Sequence, residues 1–180
     1  MPADSLHTLA RHLDVPERTL RRAAAQGLVH GERVSERQFR TSMREEAYLR
    51  SHWPLLRDLR AGLRTEPNVR LAVLFGSLAS GRAAATSDVD VLVELVEPSA
   101  GRVAETTARL ERRLKRPVQL VRLADAERAP ALMFDVLTVG RVLVDRDKRW
   151  PELQARSAHW HRAALREVPL EHAMPDLELT

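Results

Sequence analysis

Two aspartates two residues apart, Asp88 and Asp90, follow a Gly76-Ser77 pair with ten residues between. The run Val89 to Leu95 reads as a strand, so its period of two sends both carboxylates to one face and Val89, Val91 and Val93 to the other. Carboxylates that close repel one another unless something positive lies between them. A hard divalent cation such as Mg²⁺, shared with phosphate oxygens, is the usual solution. Gly76, Ser77, Gly81 and Ser87 are small enough for backbone N–H groups to approach an anion. The expected site therefore has Asp88 and Asp90 as catalytic metal ligands and Gly76, Ser77 and Ser87 as nucleotide-binding residues.

These residues need two strands and a loop. Val69 to Phe75 is a β-branched and aromatic run stopping at Gly76-Ser77, the pattern of a buried strand that ends in a turn. Strand, Gly-Ser, small-residue loop, Ser-Asp-x-Asp and a second apolar strand together resemble the signature of the minimal nucleotidyltransferases of the polymerase-beta-like superfamily. The resemblance implies an α/β fold with a mixed sheet. It also implies that Gly76 and Ser77 hold the β- and γ-phosphates of ATP or another nucleoside triphosphate, that Asp88 and Asp90 ligate Mg²⁺, and that an acceptor hydroxyl attacks the α-phosphate in line.

Relatives of this kind add a third carboxylate from a neighbouring strand. In RPVQLVRL the matching position is Gln119, which can hydrogen-bond but cannot act as a base. Asp125, near that strand's end, and Glu94, which shares parity with Asp90, are the acids that could substitute. The family's loop also commonly carries an arginine where this chain has Ser80, with Arg82 two residues further on.

The 180 residues suffice for one ordinary core or two small ones, and no stretch approaches the ~20 apolar residues of a membrane span. MPADSLHTLARHLD lacks an apolar signal core. There is no cysteine, which removes disulfides, thiol catalysis and cysteine zinc sites, and the expectation is a cytosolic (cytoplasmic) protein. Nearly all of the 29 basic residues are arginine, against 25 acids. Residues 1–66 carry 12 arginines against 9 acids, so most of the surplus lies there.

That first part begins with Leu6, Leu9, Ala10 and Leu13 at helical spacing behind Ser5 as a cap. Asp14-Val15-Pro16 then turns the chain into a second helix, from Pro16 to Gln26, that Gly27 ends. Leu20, Ala23 and Ala24 face inward, and Arg18, Arg21 and Arg22 line the opposite side as a major-groove reader would present them. LARHLDVPERTLRRAAAQGLV resembles the helix-turn-helix of MerR-like and winged-helix regulators, which implies binding of operator DNA. VHGERVS is a small wing or a loop. A long helix is expected from about Ser35, with Phe39, Tyr48, Trp53 and Leu56 on its apolar stripe and a kink or restart at Pro54. Its aromatic positions either form a homodimer seam or pack against the short helices.

The expected division is thus 1–64, an all-α helix-turn-helix module with its connecting helix; 67–168, the nucleotidyltransferase domain; and 169–180, a tail. The second domain continues with a helix from Pro98 to Arg116, a strand at Val118 to Leu123, a helix at Ala131 to Val139, a strand at Arg141 to Asp145 and a helix at Trp150 to Val168. His7, His12, His159 and His161 have poor ligand spacing and read as surface groups, and the three tryptophans read as packing anchors. Small size and the added DNA reader resemble MNT-type antitoxins, which modify a toxin protein. That likeness implies AMP transfer from ATP to a hydroxyl of a toxin partner. The competing reading is a non-catalytic DNA-binding regulator that keeps a degenerate nucleotide fold.

Overall fold

A computed structural model describes residues 6–35, 38–84 and 86–167. The expected Ser5 cap and the tail from 169 to 180 lie outside these residues. The chain begins with helices α1 (Leu6–His12) and α2 (Glu17–Ala25), joined through Asp14 in the left-handed region, and Gly27 at φ +83° ends the pair. A two-stranded antiparallel ribbon follows, β1 (Glu32–Arg33) with β2 (Phe39–Arg40), so the VHGERVS segment opens a wing-like hairpin rather than a plain loop. The Ser35 hydroxyl accepts the Gln38 N–H across its turn at 3.1 Å.

Helix α3 (Met43–Arg64) starts eight residues later than the apolar stripe suggests, because Phe39 belongs to the ribbon and the Ser42 hydroxyl caps the helix by accepting the Glu45 N–H at 3.1 Å. It also runs unbroken through Pro54. Proline removes one helical hydrogen bond, but Leu49, Trp53, Leu56, Leu59 and Leu63 are all buried along one face, and each buried side chain is worth roughly 1.5–3 kcal/mol. That burial outweighs the missing bond. Tyr48 and Trp53 are buried in the chain's own core, so these aromatic positions pack inward against the short helices.

The remainder is a mixed α/β unit of β3 (Val69–Leu74), α4 (Gly76–Ala79), β4 (Val89–Leu95), α5 (Ala100–Leu114), β5 (Val118–Arg122), α6 (Leu123–Ala126), α7 (Pro130–Val139), β6 (Arg141–Asp145), α8 (Arg149–Ala155) and α9 (Ser157–Glu167). The sheet order is β5-β4-β3-β6, parallel only between β4 and β5. The helix expected from Trp150 onward is two, broken at Arg156. In one straight helix Trp150 and Trp160 would diverge by about 80°; the break lets both reach the same core.

Two cores sandwich the sheet. On one face Val89, Val91 and Val93 pack with α3, α5 and the N-terminal helices. On the other, Leu71, Val73 and Leu92 pack with α6, α7, α8 and α9. The first core runs without interruption into the N-terminal module, whose Leu9, Leu20 and Leu28 belong to it. Arg141 on β6 ties the same parts together by polar bonds: its guanidinium donates to both Glu45 carboxylate oxygens at 2.6 and 2.8 Å, to the Leu28 carbonyl at 3.2 Å and to the Ala79 carbonyl at 2.9 Å. Among the described residues no helix is long and apolar enough to cross a membrane.

Candidate active site

Where β3 ends and β4 and β5 begin, backbone and carboxylates converge. The Phe75 N–H donates to the Asp90 carbonyl at 3.0 Å, which sets the Gly76 turn beside the start of β4. Gly76 has φ +71°, and a Cβ built on it would lie 2.7 Å from Asp90 Oδ2. Glycine is thus required twice, for the left-handed backbone and for the approach of the carboxylate. Ser77 follows in the first turn of α4, half-buried, and Phe75 supplies no side-chain cap, so the first N–H groups of that turn are met by no capping side chain. The next three N–H groups turn inward: Ser80 donates to Gly76, Gly81 to Leu78 and Arg82 to Ser77.

Asp88 is exposed just before β4, and Asp90 is half-buried within it. Val89, Val91 and Val93 lie in the first core and Leu92 in the second, which gives Asp90 the face opposite the valines, as its parity requires. Ser87 shapes the loop that leads in: its hydroxyl accepts the Ala84 N–H at 2.9 Å and Arg116 donates to its carbonyl at 2.6 Å. The structure brings Gly76, Ser77 and Asp90 together, with Ser87 and Asp88 adjoining in sequence.

Burial holds the Asp90 carboxyl above its ordinary pKa, and the fields of Asp88 and then Asp135 push the same way. Asp135, on α7, is the residue that the motif does not reveal. It is the one charged side chain in the mostly apolar helix PALMFDVLTV, and that isolation is the signal by which it could have been found. No hydrogen bond or ion pair reaches the carboxylates of Asp88, Asp90 or Asp135 among the described residues. A half-buried acid beside a second acid, with no cation of the chain's own, suits a hard divalent ion that takes further oxygens from phosphate. No group of three or more His, Cys, Asp or Glu among the described residues could hold a metal alone.

The strand register pairs Asp90 with Gln119 across the parallel β4–β5 ladder. Neighbours in such a ladder share a face, so the amide stands abreast of Asp90, where the third carboxylate is expected. The two substitutes are engaged elsewhere: Asp125 pairs with Arg122 at 2.6 Å and Arg128 at 3.5 Å, and Glu94 lies 3.8 Å from Arg149. Trp53, Trp150 and Trp160 are each buried, as packing anchors should be. Of the histidines, His7 meets Glu17 and His161 stacks on Phe134. Arg18, Arg21 and Arg22 are exposed on α2, and Arg21 Nε donates to Glu17 at 2.8 Å.

A family profile described as Polymerase beta, Nucleotidyltransferase matches residues 58–149. No curated protein matches the chain. Among solved structures it is similar to a chain from a toxin–antitoxin complex with AMP-PNP, at 24% identity and a TM-score of 0.52, covering 62% of this chain and 90% of that one. A chain from a mutant MntA–HpeT toxin–antitoxin complex is similar at 22% identity, a TM-score of 0.52 and the same coverages. At such identities the likeness establishes the fold.

Proposed function

The chain belongs to the polymerase beta nucleotidyltransferase family, and on that premise we propose that it is a Mg²⁺-dependent nucleotidyltransferase moving AMP from ATP to a hydroxyl of a partner protein of the toxin class. The observation that carries the proposal is the Asp90 carboxylate seated over Gly76, with Asp88 two residues before it. Asp88 and Asp90 would hold Mg²⁺, which when bound neutralises the triphosphate and the departing pyrophosphate. Gly76 leaves room for phosphate beside the carboxylate, and Ser77 with the first-turn N–H groups donates to its oxygens. The acceptor oxygen then bonds to the α-phosphorus as the bond to pyrophosphate breaks. Gln119 can orient that hydroxyl but cannot take its proton, which leaves the aspartates as the carboxylates in range. The toxin partner is favoured by the fold shared with chains of toxin–antitoxin complexes, one of them with AMP-PNP.

The N-terminal module, residues 1–64, would bind operator DNA through Arg18, Arg21 and Arg22. Two helices with a tight turn, an exposed arginine row on the second and a following ribbon are the parts that such a reader uses. A specific observation also favours a second reading, a regulator that binds nucleotide without transferring it: the neutral Gln119 beside Asp90.

The test is incubation of the purified protein with α-labelled ATP, Mg²⁺ and the protein encoded beside it. Label on that partner, lost in Asp88→Ala, supports the transferase; operator binding without transfer supports the regulator. Gln119→Asp adds charge abreast of Asp90 and is expected to raise transfer or metal affinity severalfold. An unchanged protein would remove Gln119 from the site.

A further inference from the structure

A cavity of about 560 Å³ opens where α3, the end of α4, the end of α7 and the segment after α2 meet. Ala79, Ser80 and Gly81, at the C-terminal end of the short helix that Gly76 and Ser77 begin, form part of its wall. Ser80 lies about 6 Å of helix rise from Gly76, which sits under Asp90. On α7, Thr138 and Val139 line the cavity one turn beyond Asp135, on the same helical face. The acids are not on its wall, but the cavity lies one helical turn from them along both α4 and α7.

Its charge is opposite to theirs. Arg44, on the first turn of α3, is exposed and donates to the Ser80 carbonyl at 3.4 Å; Arg82 Nε donates to the Ser80 hydroxyl at 3.1 Å. Neither guanidinium has a carboxylate partner among the described residues, although this chain pairs many of its other arginines with acids. The one acid on the wall, Glu45, is neutralised by Arg141. Tyr48 also lines the cavity, only 7% exposed, and its hydroxyl is buried with no hydrogen-bond partner among the described residues. Burial pushes its pKa up to about 12, so it keeps its proton and is a donor in need of an oxygen.

We infer that this cavity receives the phosphate tail of the nucleotide and that Arg44, supplied by the N-terminal module from outside the matched residues 58–149, grips it, with Arg82, which adjoins the wall residue Gly81 and bonds Ser80, adding its charge from beside the wall. The inference rests on the proposed triphosphate site at Gly76 and Asp90. Acids at one end and guanidinium groups at the other suit a polyanion whose α-phosphate lies with the metal and whose terminal phosphates lie with arginine, the side chain best matched to phosphate oxygens. It makes the N-terminal module part of the nucleotide site.

Calorimetric titration of the full chain with AMP-PNP plus Mg²⁺, and separately with AMP, tests this. Arg44→Ala is expected to weaken AMP-PNP at least tenfold and leave AMP within twofold. Arg82→Ala should act in the same direction and Arg44→Lys should recover part of the loss. Because Arg44 is exposed, melting temperatures should not move. If the wild type binds AMP-PNP and Arg44→Ala binds it equally well, or loses AMP and AMP-PNP alike, the inference is overturned and the Gly76–Asp90 site stands. A wild type that binds neither overturns that site as well.

Discussion

Asp90 combines a catalytic position with a cost to the fold. Its pKa is raised, first by burial and then by Asp88 and Asp135, so the folded state holds its proton more tightly than the unfolded chain, where the ordinary value is 3.8. A raised acid weakens the fold as pH climbs from that unfolded value through the folded one. Asp90→Asn should therefore raise the melting temperature of the ligand-free protein at pH 7, with the gain vanishing below about pH 3.8. A melting series from pH 3 to 7 that showed no gain, or one growing toward acid, would contradict this reading. Gly76→Ala forces a left-handed backbone at about 1–2 kcal/mol and drives a methyl into the Asp90 carboxylate; both stability in urea and nucleotide affinity should fall. The closeness of Gly76 to Asp90 was legible because both lie within one local unit of strand, turn and strand, and the place of Gln119 beside Asp90 because β5 could be read as a separate apolar run. Asp135 was not, since it reaches the site from a helix 45 residues after Asp90, and only the tertiary fold sets that distance.

At the level of elements, alternation and apolar runs locate all four strands of the main sheet to within a residue or so of their ends. The errors fall where a local signal met a tertiary one. Pro54 should interrupt α3, but a buried leucine and tryptophan face holds the helix straight through. Phe39 fits the helical stripe, yet the Ser35 turn and the Ser42 cap assign it to the ribbon. The buried Glu45–Arg141 pair was also invisible, because its partners lie 96 residues apart. Neither is more than 6% exposed, so removing one leaves a charge in the core, which costs about 3–5 kcal/mol. Glu45→Gln should lower the melting temperature by on the order of 10 °C. A change of one or two degrees would show that the pair does not lock α3 to β6.

Across the whole molecule, the N-terminal helices and the nucleotidyltransferase sheet share one core and one buried ion pair, so the sequence division near residue 65 marks a change of element rather than a gap in packing. Composition could not reveal this, because apolar residues on both sides look alike until the fold brings them together. The central claim is that Asp88 and Asp90 beside the Gly76 turn hold a triphosphate jointly with Mg²⁺. Ligand that binds the folded state raises its melting temperature by mass action. The most direct measurement is thermal melting of the wild type, Asp88→Ala and Asp90→Asn with AMP-PNP, Mg²⁺ and both together. The account predicts a large upward shift for the wild type only when both are present and none in either variant; equal shifts in all three proteins, or no shift in the wild type, would contradict it.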